Sequence, residues 1–157
     1  MTQKKENNSV LKEELYQQCH DFIEERLLKI KNQIKEINTS LEAETKSSAG
    51  DKHETGRAML QLEREKVGQQ LAEVEKLKEA LTKIEIQKFS KTAGLGSVIL
   101  TSGSNYFVSI SAGQLEVDST MFYAISPNTS IALVLSGKRV GDEVIFRDQK
   151  FIIKCIF

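Results

Sequence analysis

The chain is 157 residues long, which suits one ordinary domain or two small ones. Its 22 basic side chains balance 22 acidic ones, so it lacks the basic excess usual in proteins that bind nucleic acid mainly through phosphates. No apolar run approaches the roughly 20 residues of a membrane-spanning helix, and residues 1–9 lack the apolar stretch of a secretory signal. We therefore expect a cytoplasmic protein without a membrane segment, for which DNA binding is disfavoured.

The first 90 residues have the composition and periodicity of long helices. They are rich in Glu, Lys, Gln and Leu and contain no proline. Apolar residues recur at alternating spacings of four and three, the repeat of a helix that buries one narrow seam against a partner. The repeat of this first stripe runs through Ile23, Leu27, Ile30, Ile34, Ile37 and Leu41, and the stripe is extended toward the N-terminus by Leu11, Leu15, Cys19 and Phe22.

A second stripe of the same kind follows after a short break. Residues 45–50 are small, polar and closed by glycine, which indicates a helix stop and a turn. Two such helices should fold back on each other as an antiparallel hairpin over residues 1–90, with its tip near 46–56, on the order of 45 to 50 Å long. The second stripe comprises Leu60, Val67, Leu71, Val74, Leu77, Leu81 and Ile84.

Residues 91–157 change to strand-like composition, with fewer charges and more Val, Ile, Phe, Ser and Gly. We predict strands at 98–101, 106–110 and 121–125, with a hairpin connection at 103–105. A short helix at 129–135 should precede two last strands, 142–147 and 151–157, around a turn at 148–150. The prediction is an α+β fold: a long antiparallel α-helical hairpin plus an antiparallel β-sheet domain with one short helix.

Two isolated cysteines carry little information about chemistry. Cys19 and Cys155 lie far apart and show neither metal-ligand nor redox spacing. We predict that both are reduced, partly buried thiols.

Two short motifs carry a resemblance to a known family. Residues 50–54 read Gly-Asp-Lys-His-Glu at the predicted hairpin tip, and residues 137–144 read Gly-Lys-Arg-Val-Gly-Asp-Glu-Val in the second domain. In spacing and location, these resemble the Gly-Asp-x-x-Glu tip and the Gly-Lys-x-Val-Gly-Asp-x-Val turn of the Gre-type bacterial transcript cleavage factors. With the order of elements, the resemblance covers nearly the whole chain.

The resemblance implies a fold and a function. Residues 1–90 would form the coiled coil and 91–157 an FKBP-like domain that docks on RNA polymerase, while the tip enters the secondary channel. Asp51 and Glu54 would help the polymerase hold a magnesium ion, so that the polymerase cleaves the 3′ end of backtracked RNA. The chain would then be an accessory factor rather than an enzyme, with no cofactor bound alone and only indirect contact with nascent RNA. We expect a monomer.

The tip carboxylates also have a purely structural interpretation. Mg²⁺ is held by one or two carboxylates together with substrate phosphates, and Asp51 and Glu54, three residues apart, can share one side of a helix. The same spacing also indicates a capping box at a helix start. His53, with no nearby Cys or second His, is not expected to bind zinc.

The predicted partner-binding residues lie at both motifs. In the second domain they are Ile131, Lys138, Arg139 and Val140. At the tip, Lys52 and Arg57 either contact RNA or polymerase carboxylates, or are solvated charges at a helix end.

Other functions are compatible with the same pattern. Thr55-Gly56-Arg57 follows Glu54 where the family usually has Asn-Ala and an aromatic residue, so docking transfers more readily than cleavage. The alternatives are a channel-occupying regulator without cleavage, a coiled-coil protein-interaction module, and a prolyl isomerase suggested only by fold analogy. Four aromatic residues of the second domain are expected to pack in its core rather than to line an FKBP-like pocket: Phe107, Phe122, Tyr123 and Phe151.

Overall fold

The computed structural model describes residues 2–46 and 51–157, with side chains described at all of these except 45, 46 and 51–53. Its first half consists of two long helices, α1 (Thr2–Lys46) and α2 (Asp51–Thr82), and its second half is built around a sheet. The predicted α+β class is confirmed. The predicted helix stop and turn at 45–50 falls mostly on residues 47–50, which lie outside the described part of the chain.

One compact unit, Ile23–Lys78, contains most of both helices. Every predicted seam residue in it is buried or half-buried, which the narrow apolar stripes explain. The helices run in opposite directions, since Lys78 Nζ pairs with Glu24 Oε1 at 3.4 Å, whereas Gly56 lies beside the Glu44 carboxylate. The predicted antiparallel pairing is therefore confirmed for this unit, although α2 ends at Thr82, before Ile84 of the second stripe and before the predicted bound at residue 90. Its fully buried seam residues are Ile23, Leu27, Ile30, Ile37, Val67 and Val74.

The second compact unit comprises Met1–Phe22 and Glu79–Phe157. It holds the start of α1, the end of α2 and the whole sheet. Leu15 and Cys19 on α1 and Leu81 at the end of α2 are buried there. The Tyr16 hydroxyl donates to the Leu81 carbonyl at 3.4 Å, which joins the two helix segments at this level.

Six strands form one mixed sheet in the order β3-β4-β2-β1-β6-β5. β1 pairs antiparallel with β2 and β6, β4 with β3, and β5 with β6, whereas β2 and β4 run parallel. The prediction of a wholly antiparallel sheet is therefore wrong. The parallel pair arises because the chain leaves β2, forms the edge strand β3 and returns as β4 beside β2. The strands are β1 (Val98–Thr101), β2 (Tyr106–Val108), β3 (Gly113–Val117), β4 (Thr120–Ile125), β5 (Glu143–Phe146) and β6 (Gln149–Ile156).

Two tight turns account for the differences from the predicted strands. Asp118 and Ser119 both have positive φ, as in a two-residue hairpin turn, and they join β4 to the unpredicted edge strand β3. Arg147 and Asp148 do the same between β5 and β6, so this turn lies earlier than the predicted 148–150. The predicted hairpin connection at 103–105 is confirmed by the pairing of β1 with β2.

The short helix α3 (Ser130–Leu135) covers part of the sheet. Thr129 is its N-cap, and its side chain accepts a hydrogen bond from the Ala132 N–H. The predicted core packing is confirmed for Phe107, Phe122 and Phe151, which are buried, and is wrong for Tyr123, which is 40% exposed. The core cluster beneath the helix contains Ala93, Ile99, Val108, Ile125, Ala132, Leu135, Val144, Phe151 and Ile153.

Candidate functional site

The predicted tip carboxylates lie where α2 begins. Because α2 starts at Asp51, positions 51 and 54 are one helical turn apart in the same helix. Glu54 is exposed, as is Arg57 one turn later. The side chains of residues 51–53 lie outside the described set, so the convergence of the two acids stays a prediction. Carboxylates in a first helical turn also stabilise that turn through the helix dipole, which gives these positions a structural role besides capping.

An exposed apolar pair lies one to two turns beyond the tip on α2. Met59 and Leu62 are 69% and 70% exposed, and with Gly56 and Leu60 they line a shallow groove of about 620 Å³. This pair was not predicted, although the sequence carries a signal for it: two large apolar residues lie outside the seam positions of the second stripe. Because these two side chains do not pack in the hairpin seam, they are available to contact a partner.

The motif at 137–144 begins as a helix stop. Gly137, with φ +78, follows α3 in the left-handed conformation that glycine adopts most easily. Its N–H donates to the Ala93 carbonyl at 2.9 Å, and the Ala93 N–H donates to the Lys138 carbonyl at 2.8 Å. The motif is therefore fastened to the segment that precedes β1.

The rest of the motif is fastened to β6. The Gly141 N–H, at φ +91, donates to the Ile153 carbonyl at 2.8 Å, and the Ile153 N–H donates to the Asp142 carbonyl at 3.0 Å. Asp142 also accepts the Arg139 N–H on Oδ2 at 2.8 Å, which closes the turn internally. The backbone conformation and these hydrogen bonds thus explain the glycines and the aspartate of this motif without any partner.

The structure separates the four predicted docking residues by exposure. Arg139 and Val140 are exposed, Val140 at 57%, whereas Lys138 is half-buried. Ile131 packs against the core cluster and offers a partner less surface than the sequence analysis assumed. Leu133, on the same helix, is exposed and was not predicted. Leu133, Arg139 and Val140 are therefore the large side chains that this segment exposes.

Lys12 is a buried lysine that the sequence analysis did not single out. Its side chain is 1% exposed, Nζ donates to the Lys88 carbonyl at 3.0 Å, and the ammonium lies 5.0 Å from the centre of the Phe89 ring. Burial lowers the pKa of this amine from its usual range. In sequence Lys12 looks like any surface lysine, because its burial depends on a segment 76 residues away.

The two cysteines are free, as predicted, with Cys19 buried and Cys155 half-buried. Cys19 Sγ lies 3.6 Å from Ser109 Oγ, and burial raises the pKa of its thiol, partly offset by that hydrogen bond. This environment is typical of a packed, unreactive cysteine.

No cluster of three or more His, Cys, Asp or Glu side chains suited to a metal ion occurs among the described residues. None of the helices in that part of the chain is long and apolar enough to cross a membrane. No protein-family model matches the chain, and a search of curated proteins found no relative.

Proposed function

We propose that this chain is an accessory factor of bacterial RNA polymerase, whose hairpin tip enters the secondary channel and promotes cleavage of backtracked RNA. The observation that carries the proposal is the placement of Asp51 and Glu54 in the first turn of α2, at the break between two long antiparallel helices. A hairpin of this kind is a suitable carrier for charged groups that must reach a recessed site. The polymerase supplies the catalytic centre, and this chain supplies two carboxylates.

The chemistry at the tip requires a partner. Mg²⁺ prefers oxygen ligands, keeps much of its own water and is held by one or two carboxylates plus phosphate oxygens. Two carboxylates on a solvated helix end bind it weakly by themselves. Beside the polymerase's own ligands and the RNA phosphate, Asp51 and Glu54 would complete its coordination, and the ion would activate the water that attacks the RNA. Lys52 and Arg57 would contact the polymerase or the RNA next to the acids.

Docking is assigned to the sheet domain. The turn at 137–142 holds Arg139 and Val140 at the surface through backbone hydrogen bonds to two other segments. A rigid exposed pair of one charged and one apolar side chain suits a protein interface, where arginine is enriched. Lys138 and, at the edge of this surface, Ile131 would add contacts with the polymerase.

A second candidate is a protein-interaction module that occupies the polymerase channel, or binds another protein, without promoting RNA cleavage. The exposed Met59 and Leu62 beside the tip favour it, because apolar side chains at that place serve binding rather than metal coordination. In this case the tip acids would only stabilise the start of α2.

Charge-removing substitutions at the tip distinguish the two candidates. Asp51→Asn, Asp51→Ser and Glu54→Gln keep hydrogen-bonding side chains at the helix start but remove the charge that magnesium needs. Loss of the dipole interaction alone costs about 0.3–1 kcal/mol per acid, too little to unfold the hairpin. We expect cleavage in backtracked complexes to fall by orders of magnitude, with binding to core polymerase unchanged. Cleavage at the unsubstituted rate would instead support the channel-occupying candidate.

Docking needs its own control in the same assays. Combined reversal, Lys138→Glu with Arg139→Glu, should weaken polymerase binding and lower cleavage only in proportion to occupancy. At saturating concentration of this variant, cleavage should recover, because its tip is intact. Unchanged affinity in the titration would remove these two residues from the interface.

A further inference from the structure

A small basic cavity lies inside the unit that holds the sheet, between the start of α1 and the segment that leads from α2 to β1. Its volume is about 330 Å³. It is lined by three lysines, Lys12, Lys83 and Lys88, by one acid, Glu85, and by hydroxyl groups that include Ser97. Lys12 and Ser97 are buried at its inner side, whereas Lys83, Glu85 and Lys88 are exposed, so the cavity opens to solvent.

The charge of Lys12 is only partly compensated. Its ammonium has three donors, and one of them is used on the Lys88 carbonyl. Among the side chains that the structure describes, no carboxylate forms an ion pair with it. Burying a cation without an anion is unfavourable, and the lowered pKa of this amine has the same origin. An anion in the cavity would relieve that cost.

The remaining lining groups favour an oxyanion with several acceptor atoms. Ser97 Oγ accepts the Gly94 N–H at 3.1 Å, which leaves its own hydroxyl proton for another acceptor. Lys83 and Lys88 are exposed and bring two more positive charges against the single charge of Glu85. Charge-assisted hydrogen bonds from lysine to phosphate oxygens are among the stronger polar contacts in proteins.

We propose that this cavity binds a phosphate group, either as free phosphate or as the head of a small phosphomonoester. The proposal is independent of any action on polymerase, since every lining residue lies far along the chain from Asp51 and Glu54. The alternative is that Lys12 serves only to hold the Lys88 carbonyl and thereby fix the linker segment to α1.

Calorimetric titration of the full chain with inorganic phosphate and with glycerol phosphate, against chloride at equal ionic strength, tests the proposal. We expect saturable binding of phosphate. The double substitution Lys83→Gln with Lys88→Gln should weaken it by roughly tenfold or more, because two charge-assisted contacts are lost. The matched control, Lys4→Gln with Lys29→Gln, removes two exposed lysines of α1 that do not line the cavity and should change nothing.

Lys12→Gln should abolish phosphate binding. If the Lys12 variant does not fold, the Lys83→Gln, Lys88→Gln double variant still tests the proposal. Tighter binding of the monoester than of free phosphate would identify the ester as the ligand, and the reverse order would identify the free ion. Absence of saturable binding, or equal binding by the Lys83/Lys88 variant and the unsubstituted chain, would overturn the proposal and leave Lys12 with its structural role.

Discussion

The hairpin seam makes a prediction that two neighbouring residues of α1 can test. Ile30 is 6% exposed and Leu28 is 63% exposed, although they are only two positions apart on one helix. Replacing each by aspartate introduces the same charge at nearly the same place. The difference between Ile30→Asp and Leu28→Asp therefore measures burial in the seam, with helix propensity and net charge held nearly constant.

The expected costs follow from the burial. Ile30→Asp loses about 1.5–3 kcal/mol of apolar burial and places a carboxylate without a partner against the facing helix, for a total of roughly 3–5 kcal/mol. Leu28→Asp should cost no more than about 0.5 kcal/mol plus a few tenths for propensity. Because about 1 kcal/mol shifts the melting temperature of a small domain by about 4–8 °C, Ile30→Asp should lower it by at least about 10 °C. Leu71 is a half-buried seam residue, so the melting temperature of Leu71→Asp should lie between those of the Ile30 and Leu28 variants.

Two optical signals separate the hairpin from the rest of the molecule. Helical ellipticity at 222 nm reports mainly α1 and α2. All three tyrosines, Tyr16, Tyr106 and Tyr123, belong to the unit that contains the sheet, and the chain has no tryptophan. Ile30→Asp should therefore shift the helical transition further than the tyrosine transition. Equal melting temperatures for the Ile30 and Leu28 variants would refute the assigned seam.

Two further predictions use pairs of like residues. In a urea melt, Gly96→Ala should destabilise the fold by roughly 1–2 kcal/mol, because Gly96 has φ +85 and an added Cβ would lie 3.2 Å from Ile84 Cγ2. Gly94→Ala should be nearly neutral in the same melt, because a Cβ added there would meet nothing within 4 Å. A thiol reagent should modify half-buried Cys155 in the folded protein and buried Cys19 only as the structure opens, and modification of both at one rate would contradict the packing of Cys19.

The sequence predicted the hairpin well because one strong physical signal determines it. A seam residue every three or four positions must face the partner helix, and residues such as Ile30 and Val74 are buried for that reason. The edge strand β3 was missed because only Leu115 in it is buried, so the alternation is weak. The turn that joins it to β4 uses Asp118 and Ser119 at positive φ, where glycine or asparagine would have been recognised.

The candidate sites were less predictable than the fold. Arg139 and Val140 are exposed, as residues predicted to dock on a partner should be, whereas Ile131 packs against the core, since the face of α3 that meets the core depends on the sheet beneath it. The buried position of Lys12 could not be inferred, because it requires contact with the distant segment at Lys88. Local patterns give helix faces and turns, whereas pairings across the chain decide which polar side chains become buried.

The two family-like motifs do not carry equal weight for function. Gly137, Gly141 and Asp142 are explained by backbone conformation and by hydrogen bonds within the fold, so any chain with this arrangement of α3, β5 and β6 would favour them whatever it binds. Their match supports the fold of the second domain and adds little about activity. Asp51 and Glu54 differ, because a helix start accepts Asn, Ser or Gln nearly as well as an acid. The fold gains only about 0.3–1 kcal/mol per acid from their negative charge, whereas a magnesium-dependent function requires that charge, so charge-neutral substitution at these two positions is the experiment that discriminates most sharply.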